Sequence, residues 1–216
     1  MIVVGKKKFS TRKKMMLSIV CILLVIVLLY GITLLIPLID DEYQQTETES
    51  VASYNFYPVD YDEDIYSDVE YMELISDGII TFDDNVSLIS SVDIDNCHSY
   101  GKQVELLTKM IYSIIDGDVE EYNSFFSTKY FERSNKKQSF TKQKLYNVRI
   151  TYFSSDTFIE NGNVYEQYEY TLSYNIYKNN GTFRNDIGDG ARIQYFTISN
   201  RDGKLLIDSI ATPKYK

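Results

Sequence analysis

Asn161-Gly-Asn-Val-Tyr-Glu-Gln-Tyr-Glu-Tyr-Thr-Leu-Ser-Tyr-Asn-Ile-Tyr177 is the stretch on which the reading of this 216-residue chain turns. Asn161-Gly162 suits the two positive-φ positions of a type I′ turn, a strong hairpin signal. From there the side chains alternate with period two. Val164, Tyr168, Tyr170, Leu172, Tyr174 and Ile176 share one face, broken only by Glu166. Tyr165, Gln167, Glu169, Thr171, Ser173, Asn175 and Tyr177 take the other. One apolar and one wet face mark an antiparallel strand covered on a single side.

The same logic extends in both directions. Before the turn, Val148, Ile150 and Tyr152 alternate with Arg149 and Thr151, which predicts the partner strand. After it, Asn180-Gly181 turns the chain, and a Gly-rich loop at Asn185–Gly190 leads to a strand over Ala191–Ser199. Asp202-Gly203 then makes a hairpin to a last strand, Lys204–Ala211. Upstream the period changes. Val104, Leu107, Met110, Ile111, Ile114 and Ile115 form a stripe at three-to-four spacing, the mark of an amphipathic helix. Gly117 can end it, and Asp118 with Glu121 makes a capping-box-like start for a second helix carrying Val119, Tyr122, Phe125, Phe126 and Tyr130. The polar stretch Ser134–Gln143 follows, with a short helical turn expected near Thr141–Tyr146. The expectation is an α+β domain over residues 101–216, with helices packed on a curved antiparallel sheet.

Charge divides the rest of the chain. The net −9 hides six bases and no acid in residues 1–14, seventeen acids and no base in residues 40–95, and a near-balanced remainder. With no basic cluster beyond the first fourteen residues, nucleic-acid binding is excluded, because phosphate neutralisation needs concentrated Lys and Arg. Residues 15–39 carry no charge and are dominated by Ile, Val and Leu, long enough for the roughly 20 residues a membrane span requires. Basic residues precede this run, while Asp40, Asp41 and Glu42 follow it. The positive-inside rule then puts residues 1–14 in the cytoplasm and everything after residue 39 outside. A cleaved signal peptide is the competing reading, but the run is long for one and no A-x-A-like site follows. Bulky Ile19 and Val20 before Cys21 argue against a lipoprotein.

Residues 40–100 read as an acidic, Tyr-rich linker that repels itself into an extended tether. Local structure packed at the domain edge is expected within residues 69–100, where Val69, Met72, Ile75 and Ile79 have helix-like spacing while Gly78-Ile-Ile-Thr-Phe82 and Val86–Val92 are short and β-branched. The pattern Asp60-x-Asp62-x-Asp64 is no calcium loop, since Ile65 and Tyr71 stand where Gly and Glu are needed.

The helical pair Leu106–Tyr130, with its Asp-Gly-Asp break, and the final hairpin Arg192–Ile210 resemble NTF2-like, cone-shaped domains. The plan of basic tail, single span, tether and one such domain is similar to that of VirB8-like and TcpC-like subunits of bacterial conjugation channels. The resemblance implies an extracytoplasmic assembly module of a cell-envelope complex, conjugation- or secretion-type. Its partners would be the bilayer through residues 15–39, further copies of itself and other envelope proteins. The alternative is a small-ligand-binding or isomerase-like cone. Enzymes of this fold place an acid or base inside the cone, which makes Glu166, Tyr168 and Tyr170 the candidates; burial would raise the carboxyl pKa of Glu166. A rim position would leave Glu166 solvated, and core tyrosines are common without catalysis.

No cofactor is implied, since the chain holds neither a P-loop nor G-x-G-x-x-G. His98 and Cys97 are adjacent, with no other His and no second Cys after the span to complete a zinc site, so no metal is expected. Asp186-Ile-Gly-Asp-Gly190 reads as turn chemistry. Asn85-Val-Ser and Asn180-Gly-Thr match the glycosylation pattern, which matters only in a secretory eukaryotic setting.

Overall fold

A computed structural model describes residues 54–87, 89–160, 162–201 and 203–213. The basic tail, the apolar run 15–39 and the acidic residues 40–53 lie outside them. Among the described residues no helix is long and apolar enough to cross a membrane.

Six strands form one sheet: β1 (Ile80–Asp83), β2 (Ser90–Val92), β3 (Lys144–Glu160), β4 (Asn163–Tyr177), β5 (Gln194–Ser199) and β6 (Leu206–Ala211). Their spatial order is β2-β1-β3-β4-β5-β6. The architecture is α+β as expected, but the sheet is mixed rather than antiparallel, because β1 runs parallel to β3. The remaining neighbours are antiparallel. Parallel partners need a long crossover. Here it comprises β2 and the helices α2 (Lys102–Asp116), α3 (Val119–Ser124) and α4 (Thr128–Phe131), with α1 (Val69–Leu74) preceding β1.

The central hairpin follows its sequence pattern closely. Tyr170, Leu172, Tyr174 and Ile176 are all buried, with half-buried residues between them. Two irregularities bend β3. Pairing skips a residue between Tyr146 and Arg149 and again between Tyr152 and Ser154, each adding one residue to β3 against β4. Such bulges kink a strand and increase its twist, and Asn147 takes a positive φ of 50° at the first.

Helix α2 buries its predicted stripe, with Val104, Leu107, Met110, Ile111, Ile114 and Ile115 all in the core. It ends at Gly117 in the left-handed region, and the Asp118 carboxylate accepts from the Glu121 amide at 2.8 Å, starting α3. The expected second helix to Tyr130 is interrupted after Ser124. The backbone at Phe125–Ser127 pairs instead with β6: Ile207 N–H donates to Phe125 O at 2.9 Å, and Ser127 N–H donates to Ile207 O at 3.0 Å. Sheet pairing competes for the groups a continuing helix would use. The helical turn expected near Thr141–Tyr146 is absent, with β3 beginning at Lys144. Gln143 N–H donates to Ile115 O, and the Gln143 side-chain amide donates to Thr141 O and Thr182 Oγ1, holding that segment extended.

All described residues fall within one compact unit, Ser53–Lys216, so the folded part starts well before residue 101. Ile65, Tyr71, Ile80, Val92 and Cys97 join the core. Tyr71 is fully buried and its hydroxyl donates to Leu145 O at 3.1 Å, fastening α1 to β3. Phe56 packs against Gly181, and Tyr57 N–H donates to Asn179 O at 2.9 Å.

Asp68 locks this early segment onto the hairpin. Its carboxylate caps α1 through the Tyr71 amide and accepts from Lys144 Nζ at 2.7 Å and Lys178 Nζ at 3.0 Å. Glu63 pairs with the same buried Lys144 at 2.5 Å. The hydrogen bond from Lys144, helped by Lys178 and opposed by burial, holds the Asp68 carboxyl well below the usual carboxylate range. A depressed carboxylate pKa stabilises the fold fully above its unfolded value of about 4, and that contribution is lost as pH falls toward the folded value. Asp68→Asn keeps the cap oxygen but removes the charge. It is expected to cost about 1–3 kcal/mol at pH 7, the scale of charge-assisted hydrogen bonds, with the difference from the native chain shrinking below about pH 4. Urea titrations at pH 7 and pH 3 read both values.

Candidate functional site

The inner face of β4 passes through two environments. Under α2 it is core, from Tyr170 to Ile176. Toward the hairpin tip the same face emerges, with Tyr168 half-buried and Glu166 and Val164 exposed. Glu166 is therefore on a rim, the solvated position that its place near the strand end allows. The Tyr168 hydroxyl donates to Glu166 Oε2 at 3.0 Å. Glu166 N–H donates to Asn200 Oδ1 at 3.0 Å, and Asn200 N–H returns to Glu166 O at 3.3 Å, so the β5–β6 turn fixes this end of β4.

Glu166 and Tyr168 line a cleft of about 710 Å³ between α2 and the β5–β6 turn. Lys102, Lys109 and Lys204 face it with Glu105, and Lys109 is tied to Glu105 at 2.6 Å. Burial and the bond to Glu166 both raise the Tyr168 pKa. Tyr170 turns inward beside Tyr152, with ring centroids 5.6 Å apart, and burial pushes its phenol up to about 12. The structure thus brings Glu166 and Tyr168 together and places Tyr170 in the core. Both phenols remain protonated at neutral pH and can donate a hydrogen bond but not act as a resting base.

Beyond the cleft, β3 and β4 continue as a two-stranded ribbon. Strand β5 pairs with β4 only over Gln167–Leu172, whereas β3 and β4 pair out to Glu160 and Asn163. Ile159 and Val164 are cross-strand partners on the face shared with Glu166 and Tyr168, and they are 73% and 65% exposed. On the opposite face Phe158 and Tyr165 pair at 5.4 Å, and the Arg201 guanidinium lies 5.1 Å from each ring. Arg201 is held in turn by Asp208, 3.6 Å away, which also accepts from Ser199 Oγ at 2.8 Å. One face of the ribbon is propped by the domain and the other ends in an uncovered apolar pair.

Other motifs resolve simply. Asp186 accepts two hydrogen bonds from Arg184, each 2.5 Å, and Asp189 accepts from the Asn179 amide at 3.1 Å, so this loop is turn chemistry. Cys97 is buried in a 3-10 turn with His98. Among the described residues no group of three His, Cys, Asp or Glu could hold a metal ion. Two features went unread in the sequence, the Asp68–Lys144–Lys178 lock and the cation pair Lys137/Arg184, since neither has a local spacing signal. No family model, curated protein or solved structure matches the chain.

Proposed function

We propose that this chain is a single-pass, membrane-anchored extracytoplasmic assembly module whose β3–β4 ribbon engages another protein of a cell-envelope complex, conjugation- or secretion-type. The observation that carries the reading is the uncovered end of the inner β4 face, with the exposed pair Ile159/Val164 beyond the cover of α2. A two-stranded ribbon gains little from its own pairing in water, and adjacent exposed apolar side chains on a propped arm suit a partner surface. The uncharged run 15–39 supplies the anchor and the acidic stretch after it the spacer. Glu166 on an exposed rim offers no environment that would make it a buried acid, so the assembly reading is favoured over an isomerase-like cone.

A photo-cross-linking side chain at Ile159 in the full-length protein, activated in native membranes, is expected to capture a second copy or another membrane protein. Ile159→Asp should reduce any adduct formed from a reporter at Val164 at least tenfold while leaving stability within about 0.5 kcal/mol, as expected for an exposed position. Recovery of the free monomer alone would overturn the reading.

A further inference from the structure

A second cavity, about 250 Å³, lies between α2, the loop after α4 and the inner face of the sheet, apart from the Glu166 cleft. Its floor is apolar, from Met110, Ile114 and Phe196, all buried. Its polar wall is unusual for a core. Arg184 is buried, and its charge is matched by the two hydrogen bonds to Asp186. Arg184 Nη1 also donates to the Tyr174 hydroxyl at 3.2 Å, and that hydroxyl donates to Gln194 Oε1 at 3.4 Å.

Lys137, the other cation on this wall, has no carboxylate in contact among the described residues. Its backbone is clamped by Asn123, which donates to Lys137 O at 2.9 Å and accepts from Lys137 N–H at 3.0 Å. Its Nζ donates to Phe183 O at 2.6 Å and sits 5.1 Å from the Phe183 ring centre. An ammonium has three donors, and among the described residues Lys137 has no ion pair. Burial, followed by the neighbouring Arg184 charge, pushes the Lys137 pKa down against the weaker pull of Asp186. A half-buried cation beside a second cation is costly unless an anion joins it.

We infer that this cavity binds a small monocarboxylate with an apolar body, its carboxylate on Lys137 Nζ and its body on the Met110–Ile114–Phe196 floor. The charge count selects the class. Of the two cations that line the cavity, Arg184 is already paired with Asp186 and Lys137 is the one without an ion pair among the described residues, which matches a monoanion better than a doubly charged phosphate. The volume matches roughly eight waters, just under the roughly 300 Å³ at which pockets for drug-sized ligands begin, which admits a single ring or a short branched chain. The half-buried Tyr130, Lys137 and Gln194 mark the entrance. The inference is independent of the ribbon and of any partner there.

The test uses the full-length protein in lipid nanodiscs, titrated by calorimetry with benzoate, benzyl alcohol and inorganic phosphate. Benzoate is expected to bind saturably at one site per chain, with benzyl alcohol and phosphate at least tenfold weaker. Lys137→Met should weaken benzoate at least tenfold, while Lys136→Met, one residue away and exposed, leaves it unchanged. Absence of saturable benzoate binding, equal binding of the alcohol, or tighter phosphate binding would each overturn the inference. So would unchanged benzoate affinity in Lys137→Met. The three-ligand comparison needs no variant and decides the matter even if that substitution disturbs folding.

Discussion

A fragment spanning residues 102–216 is expected to show no cooperative unfolding transition, whereas residues 54–216 melt as one unit. The shorter fragment retains all of α2 to β6, and composition alone would choose it as the domain. It loses Ile65, Tyr71, Ile80 and Val92, each at most 1% exposed. Burying such side chains contributes about 1.5–3 kcal/mol apiece, so roughly 6–12 kcal/mol disappears from a domain whose net stability is of order 5–15 kcal/mol. The loss is compounded at the sheet edge. Strand β1 covers β3 from Val148 to Thr151, and its removal leaves the backbone N–H and C=O groups of that edge open to pairing with other chains. Lys144, 5% exposed, would lose both Asp68 and Glu63. Circular dichroism melts of the two fragments separate the cases, and a reversible two-state melt of residues 102–216 would contradict the assignment.

Gly117→Ala is expected to lower stability by about 2–4 kcal/mol, against about 1 kcal/mol for Gly162→Ala. The two glycines have similar backbones, with φ of +70° and +79°, so the left-handed penalty of roughly 1–2 kcal/mol is common to both. Their surroundings differ. A Cβ on Gly117 would stand 2.9 Å from Lys142 N and 3.2 Å from Thr141 C, while one on Gly162 meets nothing within 4 Å. The obstructing atoms are backbone, and that backbone is tied to α2 by the hydrogen bond from Gln143 N–H to Ile115 O at 3.2 Å. Relief therefore strains or breaks a buried bond. For a domain of this size the extra cost corresponds to roughly 4–8 °C in Tm beyond the Gly162 variant. Matched thermal melts give the difference directly, and equal shifts would show that the α2 terminus yields without cost.

The parts legible in the sequence are those governed by near neighbours. The α2 stripe from Val104 to Ile115, its end at Gly117 and the Asp118 cap depend on residues three or four apart, and the β4 alternation on residues two apart. The break at Phe125–Ser127 was not legible, because its cause is Ile207, some eighty positions on. The same holds for β1, whose four residues carry no turn signal toward β3 and whose parallel partner is chosen across the whole helical crossover. The acidity of residues 54–100 also concealed their role. Asp68 belongs to the fold because Lys144 and Lys178 reach it, and composition cannot show which acids meet bases.

For the candidate site the division is similar. Period two put Glu166, Tyr168 and Tyr170 on one face, and they share it. Where α2 stops covering that face was a tertiary matter, and it separates Tyr170 in the core from Glu166 on the rim. Lys137 and Arg184 stand in loops far apart in the chain, and the fold brings them to one cavity wall. By itself the sequence determined the succession of α2, α3 and the strands β3 to β6, the faces they bury and the segregation of charge along the chain, all consequences of short-range periodicity and composition. Only the tertiary structure decided where the folded unit begins, which strand lies parallel and which charges lose their water, because those depend on contacts between residues far apart in the chain.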